Sequence, residues 1–186
     1  MNTSLFFLLY SFAHRYQWLD GIVSFVAGTA DKVVLLSAMV YLAILFLIDK
    51  DWKEKRFIEW MKESIIIGTS IFSAWLVSFI IKNIAQVPRP FVTYPQVVTL
   101  INQDTLYDSF PSGHATIFFA LATAIYLYSK PAGIIFYVFA FCIAISRVIA
   151  GVHYPVDIFF GAIIGTIISF LVHRTLLKII YRKNDK

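Results

Sequence analysis

Six ionisable residues stand in or beside apolar runs, where a charge needs a reason: Lys82, Arg89, His114, Arg147, His153 and Asp157. An ionised side chain at the centre of a bilayer costs about 2.5–3.5 kcal/mol on insertion scales, so such groups mark function. Lys82, Arg89 and Arg147 suit a multiply charged anion, because an Arg fork pairs with phosphate oxygens and Lys adds a point charge. Ser112 and Gly113 precede a predicted helix opening at His114, where free backbone N–H groups and the helix dipole favour an anion. Gly113 lets backbone and ligand approach closely, and Pro111 helps to fix the turn. These residues make a phosphate cradle.

His153 and Asp157 are four apart, with Pro155 where a first helical turn tolerates it. A carboxylate at that spacing can hold an imidazole in one tautomer and stabilise its charged form. The pair suits a nucleophile and its orienter. His114, at the mouth of another helix, suits a general acid that protonates a leaving oxygen. Two histidines with separate roles permit phosphoryl transfer without a metal, no metal-ligand spacing is present, and no cofactor is expected. Asp104 and Asp108 are expected to be solvated loop residues, His14 an interfacial group and His173 part of a basic tail.

The elements that must position these groups lie in lipid. The chain has 186 residues, of which 59% are hydrophobic, 17% aromatic and only 15% charged, against roughly 25% charged in soluble domains. A globule of this size has too much surface to hide so many apolar side chains from water. The composition excludes a disordered chain, a disulfide scaffold and a nucleic-acid-binding domain. The net charge of +5 speaks to membrane orientation instead. Cys142 is the single cysteine, so neither an intrachain disulfide nor a Cys-based metal site is available.

A crossing helix needs about 20 largely apolar residues. Five segments are predicted to span: 33–48, 64–82, 113–129, 132–151 and 156–173. Two weaker stretches, 4–13 and 18–30, form either a sixth span with an interfacial helix or two helices in the headgroup region. No basic region precedes Leu5, so no cleavable signal peptide is expected. The expectation is an all-α polytopic membrane helix bundle forming one domain over 1–186. Eleven of the 16 basic residues fall on one side, in the 49–63 loop, at Lys130 and in the tail from Arg174. That side is expected to be cytoplasmic, with the C-terminus. The six ionisable residues then sit at the outward ends of four helices. Trp52, Trp60, Tyr94 and Tyr107 suit headgroup-level anchoring, and Gly161 with Gly165 suits close helix packing.

Lys82 to Pro90 reads KNIAQVPRP, Pro111 to His114 reads PSGH, and Ser146 to Asp157 reads SRVIAGVHYPVD. In order and spacing these resemble the three signature motifs of the type-2 phosphatidic acid phosphatase family of integral-membrane lipid phosphatases. The resemblance implies a six-helix core over nearly the whole chain. It implies His153 as the nucleophile that forms a phosphohistidine, Asp157 as its orienter and His114 as the acid. Lys82, Arg89, Ser112, Gly113 and Arg147 would hold the phosphate oxygens. It also implies a lipid phosphate as substrate and membrane lipids as surroundings. Within the family the chain is similar to small bacterial enzymes of the cell membrane that recycle undecaprenyl diphosphate for cell-wall synthesis. Phosphatidylglycerol phosphate, phosphatidate and phosphorylated lipid A are the other substrates such proteins take. An anion or lipid transporter without hydrolysis is the rival of another class, but its polar residues should occur at several depths. Vanadate-dependent halide oxidation uses a similar pocket, and the lipid-embedded composition disfavours it.

Overall fold

A computed structural model describes residues 2–48 and 54–182. Lys50, Trp52, Lys53, Lys183 and Lys186, which entered the charge and anchoring expectations, lie outside the described residues. Among the described residues there are eight helices and no strand: α1 (Asn2–Tyr10), α2 (Gln17–Gly28), α3 (Ala30–Ile48), α4 (Glu54–Ala85), α5 (Pro90–Thr93), α6 (Gly113–Tyr128), α7 (Lys130–Ile149) and α8 (Pro155–Arg182). Each of the five expected spans lies on one of the longer helices. Among the described residues, three stretches, Phe57–Thr93, Lys130–Ile149 and Pro155–Ile179, are long and apolar enough to cross a membrane by themselves. Helices α2 and α3 reach that standard only as a pair, bent by 54°. Helix α6 has 16 residues and is about 24 Å long at 1.5 Å per residue, short of the roughly 30 Å hydrocarbon core.

Helix α6 is the centre of the bundle and packs against α4, α7 and α8. Its sequence explains this position: Ala115, Ala120, Ala122 and Ala124 are buried, and their small side chains let three neighbours close in. The approach of α8 is closest. A Cβ added at Gly165 would stand 2.1 Å from the backbone oxygen of Thr116, and one at Gly161 would stand 2.9 Å from both Ala115 Cβ and Ser112 O. The GAIIG stretch is thus the close-packing face expected of it, used within the chain. Below the site end, Ile67, Phe118, Leu121, Ile125, Phe136 and Ile143 form an apolar core.

The N-terminal stretches, left open between span and interface, divide three ways. α1 is short and buries Phe6 against Val97, Val148 and Tyr154. α2 buries Val23 and Ala27 against Ala150 and Val152, then bends into α3. The Tyr10 hydroxyl donates to Val98 O at 3.0 Å and accepts from Val98 N–H at 2.9 Å, and His14 Nε2 meets the same carbonyl at 3.0 Å. The N-terminal region therefore braces the two loops that carry site residues. Tyr94, expected as a headgroup anchor, packs edge-on to Phe7 at 5.1 Å in this brace.

Chain direction puts the C-terminal ends of α4 and α7 beside the N-terminal ends of α6 and α8. Lys82, Arg147, His114 and Asp157 are carried there, while Lys62, Lys130 and Arg174 lie toward the other ends of these helices.

Candidate active site

Lys82, Arg89, Gly113, His114, Arg147 and His153 line one cavity of about 540 Å³. Residues separated by up to 71 positions in sequence are gathered by the helix ends just described. Asp157 is buried behind the wall rather than part of it, and Ser112 likewise stands behind. The backbone N–H of Ser112 donates to Asp157 O at 3.1 Å, which ties the start of α6 to the start of α8. Helix α6 has no side-chain cap, so its first-turn N–H groups remain a dipolar anion site beside Gly113. A Cβ at Gly113 would meet Lys82 Cε at an ordinary 3.7 Å. The packing of the protein therefore does not itself require glycine here.

His153 follows a sharp turn after α7. Gly151 adopts φ +79°, a left-handed conformation that favours glycine, and so brings the chain back toward the cavity before α8 begins. Arg89 Nη1 donates to Val152 O at 2.8 Å and lies 3.2 Å from His153 Nε2. A guanidinium can only donate, so Nε2 presents its lone pair and the ring proton belongs on Nδ1. That nitrogen faces Asp157 Oδ2 at 3.6 Å, longer than a hydrogen bond. Asp157 Oδ2 is itself fixed by Ser109 Oγ at 2.6 Å and by Tyr154 N–H at 2.8 Å. Burial pushes the His153 imidazole well below its usual value, and Arg89, Arg147 and Lys82 push the same way. The ring is therefore neutral at neutral pH, the form in which its lone pair can attack phosphorus.

The cations are held by groups the sequence reading did not single out. Asp108 was expected to be a solvated loop residue, and the structure corrects this. It lies 2.8 Å from Arg89 Nη2, accepts from Arg89 Nε at 2.9 Å and stands 3.8 Å from Lys82 Nζ, which also donates to its backbone carbonyl. The reason is tertiary: the 94–112 loop folds back over the end of α4, with Arg89 N–H bonded to Leu106 O and Ser109 N–H to Val87 O at 3.0 Å each. Burial opposes the charge on Asp108, but Thr105, Arg89 and Lys82 hold its carboxyl below the ordinary value. Arg147 donates through Nη1 to Ala27 O at 2.7 Å and through Nη2 to Gln103 at 2.9 Å. Among the described residues, Arg147 Nε and Ser112 Oγ are buried without a hydrogen-bond partner. Asp31, in the first turn of α3, lies 3.6 Å from His114. Only Ser109, one residue from the PSGH stretch, had a local signal. Asp31 and Gln103 had none.

Residues 63–181 match the PAP2 superfamily. The chain belongs to that superfamily. Its relatives include the undecaprenyl-diphosphatase BcrC of Bacillus subtilis, 28% identical over 174 residues, covering 94% of this chain and 83% of that one. The bacitracin transport permease protein BcrC of Bacillus licheniformis is 40% identical over 91 residues, 49% of this chain and 44% of the relative, so that match spans less than half of the relative's length. Among solved structures, LpxE of Aquifex aeolicus superposes with a TM-score of 0.73 at 27% identity, covering 93% of this chain and 94% of that one. The resemblance carried by the three motifs holds across the fold, and the relatives named as diphosphatases are hydrolases acting on phosphate esters.

Proposed function

We propose that this chain hydrolyses a lipid diphosphate, undecaprenyl diphosphate, at the outer face of the membrane through a phosphohistidine on His153. What supports the reading is one observation: five of the six ionisable groups line a single cavity at one end of the bundle, and Asp157 stands directly behind His153. Arg89, Arg147, Lys82 and the opening turn of α6 bind the phosphoryl oxygens. Arg89 Nη1 turns from His153 Nε2 to the phosphoryl oxygens, and the freed Nε2 lone pair attacks phosphorus. An N–P bond forms as the P–O bond to the leaving group breaks, and the departing oxygen takes the proton of His114. Water then attacks the phosphohistidine, its proton passes to His114, and the N–P electron pair returns to Nε2. Fixed cations and dipoles stabilise the charge on the transferring group in both steps.

Three cations in one cavity can hold a diphosphate, and the name of the Bacillus subtilis relative supports that choice over a monophosphate, which the cations would hold equally well. The basic residues that gather toward the opposite end support the outward orientation. The test is release of inorganic phosphate from undecaprenyl diphosphate, phosphatidylglycerol phosphate, phosphatidate and a phosphorylated lipid A in detergent with a chelator present. The diphosphate should show the highest kcat/KM, and His153→Ala should lower it by at least about 10³-fold. Preference for another lipid would move the substrate assignment, and activity that survives His153→Ala would end the mechanism. The Bacillus licheniformis relative carries a transport name, so lipid flux without phosphate release is the competing outcome.

A further inference from the structure

The His114 imidazole is held on two sides. Its ring stacks on Phe118 with centroids 6.4 Å apart and planes at 26°. Its Nε2 faces Asp31 Oδ2 at 3.6 Å. Asp31 arrives from outside the three motifs, because the 54° bend between α2 and α3 aims the first turn of α3 at the cavity. Its other oxygen, Oδ1, accepts from Lys32 N–H at 2.8 Å, which fixes the carboxylate and leaves Oδ2 for the histidine. The charged groups that act on His114 are Arg147 from α7, Lys82 from α4 and Asp31 from α3, with the neutral His153 across the cavity. Two cations and one anion therefore face a ring that must carry a proton to donate one.

We infer that Asp31 is a positioning residue for the acid step: its carboxylate holds His114 through Nε2, which leaves Nδ1–H for the leaving oxygen, and is the charge partner of the imidazolium. This rests on the reading of His114 as the proton donor. In the step itself the Nδ1 proton passes to the oxygen as its bond to phosphorus breaks, and His114 is left neutral with its Nε2 proton toward Asp31. The alternative is a purely structural Asp31, an acidic residue complementing the N-terminal dipole of α3.

The two roles separate by leaving group. A general acid matters to a long-chain alkyl phosphate, whose alkoxide is a poor leaving group, and little to p-nitrophenyl phosphate, whose phenolate leaves unaided. Both esters are assayed in detergent with wild type, Asp31→Asn, Asp31→Glu and, as the reference for a lost acid, His114→Ala. Asp31→Asn should lower kcat/KM for the alkyl ester on the order of 10- to 100-fold, part of the 10²–10⁴ that acid catalysis supplies. The aryl ester should change less than about threefold, and Asp31→Glu should recover most of the alkyl activity. Equal losses on both esters in Asp31→Asn and Asp31→Glu would assign Asp31 to structure alone and overturn the inference. If Asp31→Asn does not fold, Asp31→Glu carries the same comparison, with a smaller split in the same direction expected. A His114→Ala variant with no difference between the esters would overturn the acid role on which the inference rests. Wild type inert toward both would overturn the inference, and wild type inert toward undecaprenyl diphosphate as well would overturn the hydrolase reading.

Discussion

Replacing Gly165 with Ala would test whether the catalytic spacing is set by helix packing. The new Cβ would sit 2.1 Å from Thr116 O, and the atoms at 3.0 Å are also backbone, Ala120 N and Thr116 C. No flexible side chain is there to give way. Restoring even the tightest ordinary contact, 3.4 Å, requires α8 to retreat from α6 by about 1.3 Å. Overpacking of this kind costs about 1–3 kcal/mol. The functional consequence should be larger, because α6 carries His114 and the start of α8 carries Asp157 behind His153. A misplacement of about 1 Å can cost on the order of 10²-fold in rate. The assay pairs thermal unfolding in detergent with kcat/KM for the lipid substrate, using Gly68→Ala on α4 as the control, since nothing lies within 4 Å of that position. Gly165→Ala should lose both stability and rate while the control retains both. A Gly165→Ala protein with wild-type rate would show that the α6–α8 approach does not set the site.

Two further outcomes are expected. Asp108→Asn removes the carboxylate between Arg89 and Lys82; because Asp108 is 29% exposed, the stability loss should stay near the low end of about 1–3 kcal/mol. The freed guanidinium should respond more to an oxyanion, so vanadate should raise the Tm of the variant more than that of wild type, and equal shifts would count against Asp108 as the competing anion. For His153, folded-state burial lowers the value from 6.5, so the acid limb of kcat/KM should fall below pH 6.5. The unfolded chain binds this proton first on acidification, so the contribution of His153 to stability should decline as pH drops through 6.5 and level off below the folded value. An acid limb at or above 6.5, carried by His153 in a variant series, would refute the neutral nucleophile.

Several features were legible in local pattern. The apolar runs mark the long helices, because hydropathy and helical period are properties of short windows. The three motifs mark their own chemistry, because each lies at a helix end whose direction follows from the order of spans. GAIIG announces a close approach through residue size alone. The N-terminal thirty residues were ambiguous for the same reason: short apolar stretches with polar breaks fit several depths equally well. In the structure they pack against the 94–100 and 150–154 segments.

By itself the sequence determined a lipid-embedded helical chain and a set of ionisable residues whose types and order suit phosphoryl transfer. Tertiary structure alone decided which neighbours hold those residues: Asp108 on Arg89, Asp31 on His114, Ser109 on Asp157, and Gln103 with the Ala27 carbonyl on Arg147. The physical reason is range. Hydropathy and helix signals act over a few residues, whereas a buried charge takes whichever polar partner the fold brings within about 3 Å, however far away along the chain that partner lies.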